Sequence, residues 1–414
     1  MFIDRFKTGA VGVVLFAALA HSAAAQVTCT LTVTGQNDPA VDVAAVQAAV
    51  SAPAIGDTAV CLQGIFDFGT PPPGTNNSVT IAQGPGATSM RIVGLDDSRG
   101  KKATIRNGTQ ALTKVTVSPP FFSIENLRFE GPTFSAVSIL GAGPVGTLKL
   151  TGLNVVGVKT FFFPAFNLRL REAIAITSAV NPIGGDIDIS NNVLDGGTYT
   201  ADDSILAVSS GVALTGAIAN GTNQPFTARV HVADNRIVNW SGSGILAGGI
   251  RETTIERNVI QPGTFANMIP FSPPACAWNN ANGSVSGIGL ASVGDATVRD
   301  NTITMVPALN GAGAAPSCTA GIIVVGFTNV APGNANGNLV YRNRIRGSGN
   351  YAFVVGQTAS IETENLFALN KLGNFTPLSA SLFLGAGAND NDFVGNFPTV
   401  EGNVAGNVLI SQLP

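Results

Sequence analysis

Short runs of alternating apolar and polar residues recur along the chain, and each run ends at an asparagine that is followed within two residues by Ile or Leu. The phrase is VHVADNRI, TTIERNVI, ATVRDNTI and LVYRNRI, with a softer copy IDISNNVL. Its asparagines are Asn192, Asn235, Asn258, Asn301 and Asn343. The last three intervals, 23, 43 and 42 residues, fit one coil of about two dozen residues with or without a long insertion. This period predicts a solenoid.

A second set of apolar runs precedes the asparagines. AVSIL, AIAIT, GVALT, GILAG, GIGLA, GIIVV and YAFVV begin at residues 136, 173, 211, 244, 287, 321 and 351. These runs are too short and too often interrupted by Gly for helices, so they indicate strands. Strands on successive coils would pair at about 4.8 Å and bring the asparagines into a hydrogen-bonded ladder. The sequence therefore predicts a parallel β-helix.

The asparagine turns and Gly-led strands, from about residue 120 to 370, resemble those of the right-handed parallel β-helix proteins of the pectin-lyase-like superfamily. The segment VDVAAVQAAVSAPAIGDTAVCLQGIFDFG resembles the helix that caps the first coil. The resemblance implies an all-β solenoid with an N-terminal helical cap and long loop insertions. It implies no particular activity, because the same scaffold carries lyases, hydrolases, epimerases, adhesins and tailspikes.

The N-terminus has the pattern of a secretory signal. Arg5 and Lys7 precede an apolar stretch, and three alanines at 23–25 fit a signal-peptidase site. We expect a signal peptide at 1–25, an N-terminal cap at 26–60, the β-helix at 61–375 and irregular final coils at 376–414. The protein would then be exported, either secreted or periplasmic. The alternative is an uncleaved membrane anchor.

Export would allow the four cysteines to form two disulfides. Cys29 with Cys61 would fasten the cap to the first coil. Cys276 with Cys318 would join insertions that leave the same corner of consecutive coils. A metal-binding or catalytic role is disfavoured, because no CxxC or Cys/His cluster accompanies these cysteines.

The composition narrows the choice of partner. The chain is 45% hydrophobic and 11% charged, with 49 Gly and a net charge of −3, which suits the continuous buried column of a solenoid. No apolar stretch after the signal is long enough to span a membrane, and the absence of a Lys/Arg run argues against nucleic acid as a partner. No cofactor is expected, and Ca²⁺ binding is the one alternative. Only His231 remains as a histidine after signal removal.

The resemblance places a catalytic site, where one exists, on the outer face of the first strand of each coil. The inward positions of these strands are Ile174, Val212, Ile245, Ile288 and Ile322, and their outward neighbours are Ala175, Ala213, Leu246, Gly289 and Ile323. None of the outward neighbours transfers a proton, so the catalytic groups of the lyases and hydrolases are missing there. An outward apolar row of Leu246, Ile323 and Phe353 would suit a homotrimer; a monomer is the alternative.

The long insertions contain another candidate surface. Tyr199, Trp240, Trp278, Asn279 and Tyr351 fall on one side of the solenoid and would suit sugar stacking and hydroxyl recognition. The alternative is that these aromatic rings pack the loops onto the strands beneath them. Asp202 and Asp203 are weak candidates for an acid and base pair or for Ca²⁺ ligands, and a polar turn or a solvated edge is the favoured explanation.

Charged residues form a third candidate on the strand before each asparagine turn. The outward positions are Asp186, Asp188, Arg229, His231, Glu252, Glu256, Asp295 and Arg299. Charges of alternating sign on neighbouring coils would stabilise an exposed face, and this ladder is the favoured interpretation. A carboxylate site that uses His231 and Arg229 is the functional alternative.

The expected function is contact with a polysaccharide or surface glycan, with binding favoured over catalysis. A structural or adhesive rod is the alternative, because a stable solenoid needs neither ionisable groups nor aromatic rings for that role. A polysaccharide lyase, glycoside hydrolase or epimerase is the remote alternative.

We predict that N-terminal sequencing of the exported protein begins at Gln26, because the Ala-rich segment before it is the cleavage site. A protein that still begins at Met1 and fractionates with membranes would show that the segment is an anchor.

Overall fold

The computed structural model describes residues 27–51, 56–69, 77–81, 87–115, 121–141, 146–163, 168–178, 184–197, 207–219, 222–224, 228–240, 242–263, 285–306, 319–326, 335–356, 362–395, 397–402, 404 and 406–410.

In chain order the first half contains β1 (Leu31–Gln36), α1 (Pro39–Ser51), β2 (Gly56–Asp67), β3 (Val79–Ile81), β4 (Ala87–Gly94), β5 (Thr104–Arg106), β6 (Leu112–Val115), β7 (Phe121–Glu125), β8 (Arg128–Glu130), β9 (Ser135–Gly141), β10 (Thr147–Thr151), β11 (Asn154–Val156), β12 (Phe161–Phe163), β13 (Leu168–Ser178), β14 (Asp186–Ser190), β15 (Val193–Asp195), β16 (Ala207–Thr215), β17 (Ala217–Ala219) and β18 (Thr222–Gln224). The second half contains β19 (Arg229–Ala233), β20 (Arg236–Val238), β21 (Ser243–Gly248), β22 (Thr253–Glu256), β23 (Val259–Gln261), β24 (Val285–Ala291), β25 (Thr297–Arg299), β26 (Thr302–Met305), β27 (Thr319–Val325), β28 (Leu339–Tyr341), β29 (Arg344–Gly349), β30 (Tyr351–Val355), β31 (Leu366–Ala368), β32 (Phe375–Pro377), β33 (Leu382–Leu384), β34 (Asp392–Val394), β35 (Val400–Gly402) and β36 (Val408–Ile410).

The strands build a right-handed parallel β-helix, as the sequence predicts. Face A comprises β4, β7, β10, β14, β19, β22, β25, β28, β31, β34 and β36, and face B comprises β5, β8, β11, β15, β20, β23, β26, β29 and β32. Face C comprises β3, β6, β9, β13, β16, β21, β24, β27, β30, β33 and β35. Because β2 is long enough to run around the corner between faces A and B, these two faces form one 22-stranded sheet.

An asparagine ladder occupies the corner between faces A and B. The Asn258 Nδ2 donates to Asn301 Oδ1 at 3.0 Å and to the Val232 carbonyl at 2.9 Å. Its Oδ1 accepts the backbone N–H and the side-chain Nδ2 of Asn235. The full ladder is Asn192, Asn235, Asn258, Asn301, Asn343 and Asn370. A second ladder, which the sequence analysis missed, joins Asn338, Asn365, Asn391 and Asn407 at the corner between faces C and A.

The core register predicted for face C is confirmed. Ile174, Val212, Ile245, Ile288 and Ile322 stand in register and are all fully buried. The outward row is also largely covered, since Ala175, Ala213 and Ile323 are buried as well. Phe353 was placed on the wrong side: it stands in register with Ile322 and lies in the core, and Val354 follows Ile323 in the outward row.

The glycines that begin the face C strands have a steric cause. A Cβ on Gly211, Gly244, Gly287 or Gly321 would lie only 2.3 to 2.7 Å from an isoleucine methyl of face B. Each isoleucine fills the interior from the position two residues after an Asn of the first ladder. The Asn-x-Ile phrase and the Gly-led strand are therefore two parts of the same contact.

The helix α1 covers the first coil. Its residues Val46, Ala49 and Val50 are buried. The carboxylate of Asp42 accepts hydrogen bonds from the backbone N–H groups of Gln36, Asp38 and Asp67.

The predicted disulfide between Cys29 and Cys61 is confirmed. Cys276 and Cys318 lie outside the described residues, so their pairing stays a prediction. In the described part of the chain no helix is long and apolar enough to cross a membrane.

We expect Asn258→Ala to lower the free energy of unfolding by roughly 2–4 kcal/mol, because it removes a buried amide and leaves neighbouring donors and acceptors without partners. Urea unfolding measures the change. The adjacent Val259 is 47% exposed, so Val259→Ala serves as the control and should change stability by less than about 0.5 kcal/mol. Equal losses for the two variants would contradict a stabilising role for the ladder.

Candidate functional site

A groove of about 450 Å³ lies on the outer surface of face A. Strand alternation creates it: Ile187 and Ile189 of β14 are buried, so Asp186 and Asp188 lie on the solvent side. The same alternation applies to β19, which carries Arg229 outside. The lining residues are Asp186, Ile187, Asp188, Arg229, Val230, His231, Glu252, Thr254 and Asp295.

One wall of the groove contains the predicted ion pair between neighbouring coils. Arg229 stands in register with Asp186, and its Nε donates to Asp186 Oδ1 at 2.8 Å. The two side chains are 71% and 50% exposed, so the pair contributes little to stability. The alternation of sign ends beyond Arg229, because the register of the next coils places Glu252 beside Asp295.

His231 lies between two carboxylates. Its Nδ1 is 3.5 Å from Asp188 Oδ1, and its Nε2 is 3.2 Å from Glu256 Oε1. Asp188 Oδ1 is shielded from solvent and has no hydrogen-bond partner in the described residues. Both ring nitrogens therefore face carboxylates, and His231 links Asp188 at the groove to the more buried Glu256.

Glu256 is the most buried charge of this cluster. Its side chain is only 6% exposed and contacts Arg257 and Arg299 as well as His231. Burial alone would raise the pKa of Glu256, but the hydrogen bonds from Arg257 and His231 and the two guanidinium charges lower it. The sequence predicted Glu256 in one row with His231 and Arg299. The structure confirms the register with Arg299 but places Glu256 opposite Ala233, two positions from His231, which its side chain still contacts.

The prediction that Trp240 and Tyr351 stack on sugars is wrong, because both rings are buried. Trp240 is fully buried and its Nε1 donates to the Leu194 carbonyl at 3.0 Å, so it fills the core. Tyr351 is 7% exposed, and its hydroxyl donates to Glu401 Oε2 at 3.0 Å. Burial and this hydrogen bond raise the pKa of Tyr351 to about 12. Both buried positions agree with the alternative prediction, in which the aromatic rings serve packing.

The remaining loop candidates lie outside the described residues: Tyr199, Asp202, Asp203, Trp278 and Asn279. Their roles in glycan or Ca²⁺ binding stay predictions. Within the described ranges, no group of three or more His, Cys, Asp or Glu residues is placed to hold a metal ion.

Sequence reasoning missed the ionisable residues buried at face C. Glu172 stands in register with Ser135 and Ser210, and burial raises its pKa to about 7. Lys114 lies 4.4 Å from the centre of the Phe122 ring, and burial lowers its pKa to about 8. The available signal was the charged pair in the otherwise apolar run LREAIAIT.

Comparisons with known proteins give no family. No family model matches the chain, and no curated protein matches it either. Among solved structures it is similar to DFA-IIIase from Arthrobacter chlorophenolicus A6, with 9% identity over 87% of this chain and 86% of that chain and a TM-score of 0.49.

Two further structures are similar to a comparable extent. The A-module of a mannuronan C-5 epimerase from Azotobacter vinelandii is 12% identical over 92% of this chain and 94% of that chain, with a TM-score of 0.33. A mannuronic acid specific polysaccharide family 6 lyase from human gut microbiota is 13% identical over 91% of this chain and 85% of that chain, with a TM-score of 0.39. Such distant similarity carries no argument about function, which must come from the site itself.

The lowered pKa of Glu256 predicts a pH dependence of stability. Because the folded pKa lies below the ordinary value of 4.5, the Glu256 contribution is present at neutral pH and is lost as the pH falls through the folded pKa. We expect the melting temperature of Glu256→Gln to fall less steeply with acid below pH 4.5 than that of the wild type. Glu252→Gln, on the exposed rim, is the matched control and should follow the wild type; identical curves for all three proteins would refute this account.

Proposed function

We propose that the protein is an exported β-helix that binds a polysaccharide, with the groove on face A as its contact surface. The observation that carries this proposal is the groove itself, in which Asp186, Asp188, Arg229 and His231 converge on a rigid parallel sheet. Its volume of about 450 Å³ is within the usual range of ligand pockets. The Cys29–Cys61 disulfide supports export, because such bonds persist in oxidising compartments.

The charges of the groove favour a neutral glycan. Four carboxylates line it, and the single arginine is already paired with Asp186. Carboxylate oxygens accept hydrogen bonds from sugar hydroxyls, whereas a uronate would meet like charge. A neutral polymer of hydroxyl-rich sugars, such as a glucan, fits this lining better than a polyuronate.

An enzyme is the second candidate, and the observation that favours it is the buried Glu172 carboxyl, which stands in register with Ser135 and Ser210 on face C. A carboxyl group whose pKa is raised to about 7 can act as a general acid or base at neutral pH. It belongs to face C, so this activity would use a different surface from the groove. A structural or adhesive rod needs neither site.

The test is a glycan-array screen of the full chain with and without Ca²⁺, followed by calorimetric titration of neutral glucan oligomers. We expect Asp188→Asn to weaken binding by about tenfold, because a charged hydrogen-bond acceptor is lost. Asp300→Asn makes the same chemical change outside the groove and should leave binding unchanged.

Each outcome of the screen assigns one function. Silence across all glycans would reject binding and favour the rod. Binding that is followed by cleavage products, lost in Glu172→Gln but kept in Asp188→Asn, would assign an enzyme at face C. Equal affinity of Asp188→Asn and the wild type would remove the groove from the proposal.

A further inference from the structure

Face B carries a group of cations that stands apart from every ion pair described above. Arg344 and Arg346 are the exposed positions at the start of β29, and Lys371 follows on the next coil. The backbone N–H of Ile345 donates to the Lys371 carbonyl at 2.9 Å, and this bond fixes Lys371 in register with Arg344. Neighbouring positions on adjacent coils are about 4.8 Å apart. We refer to Arg344, Arg346 and Lys371 as the basic patch.

The cations of the basic patch form no ion pair with a described residue. Arg344 and Lys371 make no ion pair or side-chain hydrogen bond within the described ranges, and Arg346 donates only to the neutral Thr304 Oγ1 at 2.8 Å. The same rows on preceding coils contain Thr302 and Thr304, then Val259 and Gln261. Like charges directly opposite each other on neighbouring strands are destabilising.

The contrast with the adjacent turn makes the patch unusual for this chain. Along the corner between faces A and B, arginines alternate with aspartates: Arg257 pairs with Asp234, and Arg342 pairs with Asp300, each at 2.8 Å. The chain as a whole is acidic, with a net charge of −3. Three cations without ion-pair partners on two adjacent coils therefore differ from the paired arginines of the neighbouring turn and from the negative net charge of the chain.

We propose that the basic patch is a second binding site, which holds the sulfate or phosphate ester groups of a polyanionic glycan. Arg344 and Lys371 stand in register on neighbouring coils, and Arg346 lies two residues further along the exposed face of β29. A tetrahedral oxyanion offers three acceptor oxygens to them, whereas a carboxylate offers two. Arginine forks bind such oxyanions in a bidentate manner, and lysine adds a mobile point charge. The site is on a different face from the groove and does not depend on the function proposed for it.

The experiment measures binding of the full chain to immobilised dextran sulfate, with neutral dextran as the reference polymer. We expect binding that weakens with added salt, and an affinity at least about tenfold lower in the double variant Arg344→Gln/Lys371→Gln. The control Arg251→Gln/Lys101→Gln removes two exposed cations away from face B and gives the same net charge. It should bind like the wild type.

Thermal unfolding separates a binding role from a structural one. Because the basic patch contains only like charges, its double variant should melt at the wild-type temperature or above it. A lower melting temperature with unchanged dextran sulfate binding would show that the cations serve the fold and would overturn the proposal. Equal loss in the control variant would also overturn it, since binding would then follow net charge alone.

Three further probes test the chemical class. Inorganic phosphate should compete with dextran sulfate, and polygalacturonate should bind more weakly; tighter polygalacturonate binding would reject the preference for tetrahedral oxyanions. Vesicles of phosphatidylglycerol distinguish a lipid headgroup from a glycan. Patch-dependent binding to vesicles without binding to dextran sulfate would replace the glycan with a membrane and overturn the assignment.

Discussion

The hydrogen bonds of the asparagine ladder are the constraint on which the rest of the structure depends. Each buried amide donates to the next asparagine and to a carbonyl of the strand beneath, so one side chain fixes both the turn and the register between coils. A slip of one residue would turn every apolar side chain outwards and every charged one inwards. The interior column of isoleucines and the outer rows of charge therefore follow from the same bonds.

Fixed register turns the outer faces into rows of side chains at regular spacing, and each row has its own character. Face C is apolar and largely covered, with Glu172 and serines beside its core. Face A carries the acidic groove in which His231 lies between two carboxylates. Face B ends in unpaired cations. A rigid scaffold of this kind preorganises surface groups, because the backbone positions do not have to be ordered when a ligand binds.

Much of the fold could be predicted because each coil repeats the same short sequence patterns. The sequence alone predicted the Asn-x-Ile turn, the Gly-led strand and the inward register of Ile174 to Ile322. The first disulfide followed from the position of Cys29 beside the first coil. The error at Phe353 arose where the strand begins one residue out of step with the preceding phrase. The second ladder was missed because the apolar residue two positions after each of its asparagines is Val, Phe or Leu rather than the Ile of the first phrase.

The site was harder to predict, because burial of single side chains depends on contacts between coils. Trp240 and Tyr351 were predicted as stacking rings from their positions on one side of the solenoid, yet both rings are buried, and their polar atoms bond to the Leu194 carbonyl and to Glu401. Conversely, Asp186 and Arg229 were paired correctly, since strand alternation and coil spacing suffice to bring them together. The cluster of charges around Glu256 could not be predicted without the register between the coils, which places Glu256 two positions away from the row of His231.

The central claim is that the ladder holds the charged side chains of face A in place as a ligand surface. A crystal structure of the protein with a bound neutral glucan oligomer tests it most directly. The account predicts sugar density along the groove, with hydroxyl groups within hydrogen-bond distance of Asp188 and His231. Density on face C beside Glu172, with the groove unoccupied, would contradict it.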